Sequence, residues 1–112
     1  MNDKIILIYP PSSPGVKPLF ALPPLGVMYL ASYLNSKGIS AEVLDAEVLG
    51  FSIRKISEYI KQNKPLVVGI TVLTNNFNTT LKISENIKGI DKNIKVCLGG
   101  PHISGTYEET LN

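Results

Sequence analysis

The sequence is poor in the residues that build disulfides and metal centres: it has one cysteine, one histidine and no tryptophan among 112 residues. Because Cys97 has no second cysteine to pair with, no internal disulfide can form, and one cysteine alone cannot hold a metal cluster. A reducing cytoplasm is therefore the expected location. Cys97 itself is expected to be a small buried apolar residue.

Charge and long apolar runs are scarce as well. Charged residues make up 18% of the chain and the net charge is +2, which leaves no basic stripe for nucleic acid. No apolar run approaches the roughly 18–20 residues that span a bilayer, and the first residues lack a signal-peptide cleavage site. The 44% of hydrophobic residues is ordinary for a globular protein. We expect one globular domain over residues 1–112 that binds neither nucleic acid nor membrane.

Short apolar segments alternate with segments of helical period. The predicted strands are Ile5–Tyr9, Ala41–Asp45, Leu66–Val72 and Ile94–Leu98. The predicted buried faces of the three helices are Val27, Leu30, Ala31 and Leu34, then Ile53, Ile56 and Ile60, then Phe77, Leu81, Ser84 and Ile87. Ser52 is a candidate N-cap and Gly38 a candidate C-cap. The alternation predicts an α/β, flavodoxin-like (Rossmann-like), doubly wound parallel sheet of order 2-1-3-4(-5).

Two stretches stand outside this alternation. Residues 10–24 carry six of the eight prolines, which predicts a long loop. Residues 106–111 resemble the start of a fourth helix, but no fifth strand follows. The fourth strand would then be an exposed apolar edge, which natural domains usually cover. We therefore expect a fragment truncated before the fifth strand, with a tendency to self-associate through the fourth.

The carboxyl ends of the predicted strands are where open parallel sheets bind ligands. They hold glycines, small polar residues and one histidine, but no carboxylate pair, no nucleophile with a base and no cluster of metal ligands. This composition predicts a binding surface without catalytic residues. A flavin- or nucleotide-binding flavodoxin-like protein is one alternative, although a dinucleotide fingerprint and a hydroxyl-rich phosphate loop are absent after the first strand.

Four stretches carry a family resemblance. They are Tyr9-Pro10-Pro11, Pro23-Pro24-Leu25-Gly26-Val27-Met28-Tyr29-Leu30-Ala31, Val68-Gly69-Ile70-Thr71-Val72-Leu73-Thr74 and Leu98-Gly99-Gly100-Pro101-His102. In this order and spacing the chain resembles the N-terminal cobalamin-binding domain of cobalamin-dependent radical S-adenosylmethionine (radical-SAM) enzymes. The resemblance implies cobalamin as the cofactor of this domain. It also implies a downstream radical-SAM domain of the same polypeptide, with S-adenosylmethionine and a 4Fe-4S cluster, in a parent enzyme such as a methyltransferase.

The same resemblance implies a set of cofactor-binding residues. They are Pro10, Pro11, Leu25, Gly26, Thr71, Leu73, Thr74, Gly99, Gly100, Pro101 and His102. The hydroxyl of Thr71 would bond the nucleotide arm of the cofactor, Leu73 would shape the pocket for its base, and the paired glycines would let the arm approach the backbone. His102 is not assigned to cobalt, and no residue is assigned to a metal.

One motif departs from the wider cobalamin pattern. Domains of the methionine-synthase type carry Asp-x-His-x-x-Gly, whose histidine ligates cobalt from below and whose aspartate orients that histidine. Gly26 falls on the motif's glycine, but Ala21 and Pro23 occupy the places of the aspartate and histidine. The resemblance to radical-SAM relatives therefore implies a corrin without a lower histidine ligand.

Each motif also has a purely structural interpretation. The two glycines at positions 99 and 100 could form a tight turn, Thr71 could be an ordinary strand residue, and His102 could lie on the surface. The whole domain could also be a degenerate cobalamin-like module that only docks other domains. These alternatives stay open at the level of sequence.

Overall fold

The computed structural model describes residues 4–18, 24–72 and 77–99. Its elements are β1 (Ile5–Tyr9), α1 (Leu25–Ser36), β2 (Ala41–Asp45), α2 (Ala46–Leu49), α3 (Ile53–Asn63), β3 (Val67–Thr71), α4 (Phe77–Ile90) and β4 (Lys95–Gly99). The four strands form one parallel sheet in the order β2-β1-β3-β4. The predicted α/β doubly wound class and its strand order are confirmed.

One face of the sheet carries the main hydrophobic core, formed with α3 and α4. Its buried residues are Ile6, Ile8, Leu44, Ala46, Ile56, Ile60, Val68, Ile70, Ile83, Ile87 and Ile94. The helix α3 begins where the sequence predicts, because the side chain of Ser52 accepts a hydrogen bond from the backbone N–H of Lys55 at 3.1 Å. This face is sealed by side chains from both helices, so it leaves no room for a ligand.

The helix α1 lies on the opposite face, over β1 and β2. Right-handed crossovers require this, because the chain moves from β1 to β2 in one direction across the sheet and from β2 to β3 and β4 in the other. Asn35 fixes the rotation of the helix: its side-chain amide bonds both backbone groups of Ala41 in β2, at 2.9 and 3.0 Å. At 3.6 residues per turn, the flank opposite Asn35, with Gly26 and Leu30, faces β3 and β4.

Three predicted core positions are wrong. Leu30 is 46% exposed because it points over β3 and β4, which α1 does not cover. Leu81 is 38% exposed, since the core-facing side of α4 is formed by Thr80, Ile83 and Ile87. Cys97 is exposed for the same reason as Leu30: it lies on the α1 face of the sheet, beyond the reach of that helix.

A polar cluster closes the amino ends of the strands, on the face of α3. The hydroxyl of Tyr59 donates to a carboxylate oxygen of Glu42 at 2.7 Å, and the ammonium of Lys4 lies 3.5 Å from the other oxygen and 3.2 Å from the side-chain oxygen of Asn63. Burial, followed by the hydrogen bond and the negative charge of Glu42, raises the pKa of Tyr59 to about 12. This cluster lies at the edge opposite the carboxyl ends of the strands, and its contacts join β1, β2 and α3.

Candidate functional site

The loop after β1 leans toward β2. The carboxylate of Glu47 accepts a hydrogen bond from the hydroxyl of Ser12 at 2.5 Å and lies 3.3 Å from its backbone N–H. Further along, the backbone N–H of Gly15 donates to the carbonyl of Phe51 at 3.1 Å. Because β2 and β3 flank β1 on opposite sides, this part of the loop leaves the carboxyl ends of β3 and β4 uncovered.

The two carboxylates at the end of β2 both accept hydrogen bonds that stabilise the local fold. Asp45 caps the short helix α2, which the sequence did not predict, by accepting a hydrogen bond from the backbone N–H of Val48 at 3.1 Å. Glu47 anchors the loop through Ser12. Among the described residues, no three acids, histidines or cysteines are grouped to hold a metal ion. The described acids at this edge therefore stabilise the local fold.

Beside α1, part of the sheet is exposed among the described residues, and we call this surface with the adjoining flank of α1 the α1 groove. Its floor is the exposed half of the sheet, where Gly69 pairs with Cys97 and Thr71 with Gly99 on neighbouring strands. Its wall is the flank of α1 that carries Gly26 and Leu30. At its upper end the backbone N–H of residue 72 donates to the carbonyl of Gly99 at 2.6 Å, so the two floor strands are joined up to the edge.

Among the described residues, two glycines at the upper end of the α1 groove contribute no side chain. A Cβ added at Gly26 or at Gly99 would meet no atom within 4 Å, so the wall and the floor are both bare where they approach the carboxyl edge. Lower down, a Cβ at Gly69 would lie 2.8 Å from the side chain of Leu7, which leans across β3. Gly69 therefore makes room for Leu7, whereas the other two glycines leave open space.

The predicted site residues separate into three groups. Thr71, Gly99 and Gly26 line the α1 groove, and Thr71 is half-buried beside the open space at its partner glycine. Leu25 is 60% exposed on the outward side of α1, away from the groove, and the two prolines after β1 are buried. Leu73, Thr74, Gly100, Pro101 and His102 lie outside the described residues, as does the predicted helix at 106–111.

Sequence reasoning missed three contributors to the groove. The helical period predicts a buried Leu30, Cys97 is expected to be buried, and no role is predicted for Gly69. A signal existed for Gly69, because a glycine inside a strand often marks a close approach of another group. No signal in the sequence separated Leu30 from the buried positions of its helix, since its spacing is the same as theirs.

Comparison with known proteins decides the family. Residues 14–112 match the B12 binding domain. The chain belongs to the B12-binding domain family. The resemblance that the motifs carry is thereby confirmed. In addition, the described residues contain no helix with both the length and the apolar character to cross a membrane.

Two curated relatives extend this B12-binding domain into longer enzymes. An uncharacterized methyltransferase of Pyrococcus horikoshii is 32% identical over 110 residues, which is 96% of this chain and 24% of the relative. The anaerobic magnesium-protoporphyrin IX monomethyl ester cyclase of Rubrivivax gelatinosus is 31% identical over 90 residues, which is 80% of this chain and 16% of the relative. The chain thus spans about a quarter or less of these relatives.

The α1 groove fits the group that the family binds. The nucleotide arm of cobalamin is long and must pass close to backbone, which suits a channel whose upper wall and floor lack side chains at Gly26 and Gly99. The hydroxyl of Thr71 lies beside this bare patch, and the exposed side chain of Leu30 offers an apolar surface lower down. Polar, apolar and side-chain-free surfaces are therefore combined in one cleft.

Proposed function

We propose that this B12-binding domain holds cobalamin with the nucleotide arm in the α1 groove and presents the corrin at the carboxyl edge of the sheet. The single observation that carries the proposal is that a Cβ added at Gly26, at the start of α1, or at Gly99, at the end of β4, would meet no atom within 4 Å. In this arrangement Thr71 donates a hydrogen bond to the arm, and Leu30 packs against its apolar part. Leu73, Thr74, Gly100, Pro101 and His102 are proposed contacts from the family resemblance alone.

We propose that the bound corrin receives no histidine ligand from the usual motif. Support comes from Ala21 and Pro23, which replace the two polar residues of that motif. The electron paramagnetic resonance spectrum of the reduced cobalt(II) complex, recorded on protein with ¹⁵N-labelled histidine, tests this. A histidine ligand would then split each cobalt line into two, whereas the cofactor's own benzimidazole would split it into three. Two-line splitting would count against the proposal, and its absence would support it.

We also propose that the cofactor serves a radical-SAM domain of the same polypeptide. The support is the greater length of the two relatives, one of them named as a methyltransferase. Cobalamin would supply methyl-group or one-electron chemistry at its cobalt, while the fused domain would carry S-adenosylmethionine and a 4Fe-4S cluster. The sequence encoded beyond Asn112 should then contain Cys-x-x-x-Cys-x-x-Cys. A reducing cytoplasm suits such a protein and its exposed Cys97.

Titration with hydroxocobalamin, followed by absorption, tests cofactor binding directly. Gly99→Leu and Gly26→Leu should each weaken binding at least about tenfold, because a leucine fills the groove entrance. Neither position has positive φ, so neither change strains the backbone. Gly89→Leu is the matched control, since a Cβ there also meets nothing within 4 Å and the residue lies on α4, remote from the groove.

Binding that survives both groove substitutions would refute the assigned site. No binding by the unaltered, folded chain at about 500 µM, far above an ordinary cofactor affinity, would refute cobalamin binding by this domain.

A second candidate function is a degenerate module that docks other domains without a cofactor. It is favoured by the exposed apolar residues of α1, which a cofactor-only role leaves unexplained. In a longer polypeptide, activity that survives Gly99→Leu and Gly26→Leu would favour this candidate. Loss of activity with the fold intact would favour the cofactor-binding role.

A further inference from the structure

The outward side of α1 carries a continuous apolar row. Leu25, Met28, Tyr29 and Tyr33 are 60, 46, 76 and 60% exposed. Residues 25, 29 and 33 are spaced four apart, so they form one ridge along the helix, with Met28 beside it. We call these four side chains the α1 ridge. Leu25 and Tyr29 point away from the sheet, whereas Tyr33 lies next to the flank of Gly26 and Leu30 that lines the α1 groove.

The α1 ridge lacks the charges that normally keep a helix surface in water. The twelve residues of α1 include no Asp, Glu, Lys or Arg. Just beyond the C-terminal end of the helix, the ammonium of Lys37 lies 5.6 Å from the centre of the Tyr33 ring. Binding to nucleic acid or to an anionic membrane surface would need basic residues along the helix. An exposed apolar patch without them indicates contact with protein.

We infer that the α1 ridge pairs with the same ridge of a second copy of this chain, with the two helices antiparallel. In such a two-fold contact each Tyr29 lies at the axis, and Leu25 faces Tyr33 of the partner subunit. The absence of charge means that no like charges meet along the contact. The dipoles of the two helices are also oriented favourably.

The size of the ridge supports this occupant. Its four side chains expose roughly 500 Å² per copy, so a symmetric pair buries at most about 1,000 Å², the size of a weak, reversible interface. The two tyrosines supply most of that area, and tyrosine is among the residues that contribute most to interface stability. The pairing is centred on Tyr29, which points away from the sheet, so it does not depend on the cofactor, and it borders the α1 groove at Tyr33.

Sedimentation velocity of the 112-residue chain tests the pairing, with a reductant present because Cys97 is exposed. The chain should pass from monomer to dimer between about 1 and 200 µM, and Tyr29→Lys should weaken the dimer at least about tenfold. Leu81→Lys is the matched control, because it makes the same apolar-to-lysine type of change at an exposed position on α4. It should leave the dimer unchanged.

A crosslinking experiment keeps the test decisive if Tyr29→Lys disturbs the fold. In a Cys97→Ser background, Tyr29→Cys should form a disulfide-linked dimer on mild oxidation, because the two thiols meet at the axis. Glu58→Cys, on the exposed side of α3, should form none. A monomer at every concentration, or equal crosslinking at both positions, would overturn the inference. So would a dimer that survives Tyr29→Lys and is lost on Cys97→Lys, which would place the contact at β4.

Discussion

Helices α1 and α3 are nearly equal in length, yet their surfaces are built differently. In α3 the buried side holds Ile56 and Ile60, and the outer side is charged: Arg54, Lys55, Glu58 and Lys61. A side chain caps its first turn, and Arg54 lies 3.3 Å from Glu58 on the exposed side. In α1 only Ala31 is buried, no side chain caps the first turn, and apolar residues lie on every side.

The difference indicates that α3 completes the packing of the domain, whereas α1 is available for contacts with other molecules. The outer side of α3 is charged and faces water, so this helix requires no packing partner other than the sheet and α4. The sides of α1 are exposed and carry no charge. Exposed apolar side chains stabilise a protein only when another molecular surface packs against them. We therefore assign one flank of α1 to the cofactor and its outward ridge to a second copy. Substitutions in the two helices can sharpen or break this comparison.

The largest expected effect is on the core side of α3. Ile56→Ala should lower the free energy of unfolding by about 2–5 kcal/mol, because the side chain is fully buried and its loss leaves a cavity. Leu30→Ala should cost less than about 1 kcal/mol, since nearly half of that side chain is already in water. Urea unfolding at a chain concentration that keeps the protein monomeric measures both. Equal losses would show that Leu30 is covered, and the comparison would fail.

A smaller effect is expected at the start of α3. Ser52→Ala should lower the free energy of unfolding by about 1 kcal/mol, because the backbone N–H of Lys55 loses its side-chain acceptor. The control is Ser36→Ala at the end of α1, where the hydroxyl bonds only the carbonyl of Tyr33 on the surface. Urea midpoints that shift by the same amount in both variants would contradict the importance of the cap.

Sequence patterns predicted the fold well because strands and helices of this class have distinct periods. The strands were placed to within one or two residues, and both the cap at Ser52 and the left-handed Gly38 after α1 are confirmed. The failures at Leu30 and Cys97 share one physical reason. Periodicity reports that a residue is apolar and on a given face, but it cannot report whether another element covers that face.

The site was predictable only in part for a related reason. Glycines at strand and helix ends marked the groove entrance, because their lack of a side chain is visible in the sequence. Leu25 points outward because of the rotation of α1, and the prolines after β1 are buried because of the path of the loop. These follow from particular hydrogen bonds, made by Asn35 and Glu47, which no spacing rule identifies.

The last expected effect arises only at alkaline pH and concerns the tyrosines of the two helices. The α1 ridge exposes its tyrosines, whereas Tyr59 of α3 turns its hydroxyl onto Glu42, 2.7 Å away. Burial and this neighbour raise the pKa of Tyr59 from 10.0 to about 12. As the pH rises, the unfolded chain therefore loses this proton before the folded chain does. The stability that Tyr59 contributes is complete below pH 10 and declines as the pH rises toward about 12.

Replacing Tyr59 with phenylalanine isolates this contribution. The unaltered chain and Tyr59→Phe both lose stability in alkali as their lysines lose charge, so only the difference between them reports on Tyr59. That difference should be small and constant below pH 10. Above pH 10 it should shift in favour of the variant, because the variant has no phenol whose ionisation favours unfolding. Urea midpoints measured at intervals from pH 9 to 12 follow this shift. Parallel curves across the whole range would mean that the phenol ionises equally easily in both states, and that the hydroxyl does not rest on Glu42 in solution.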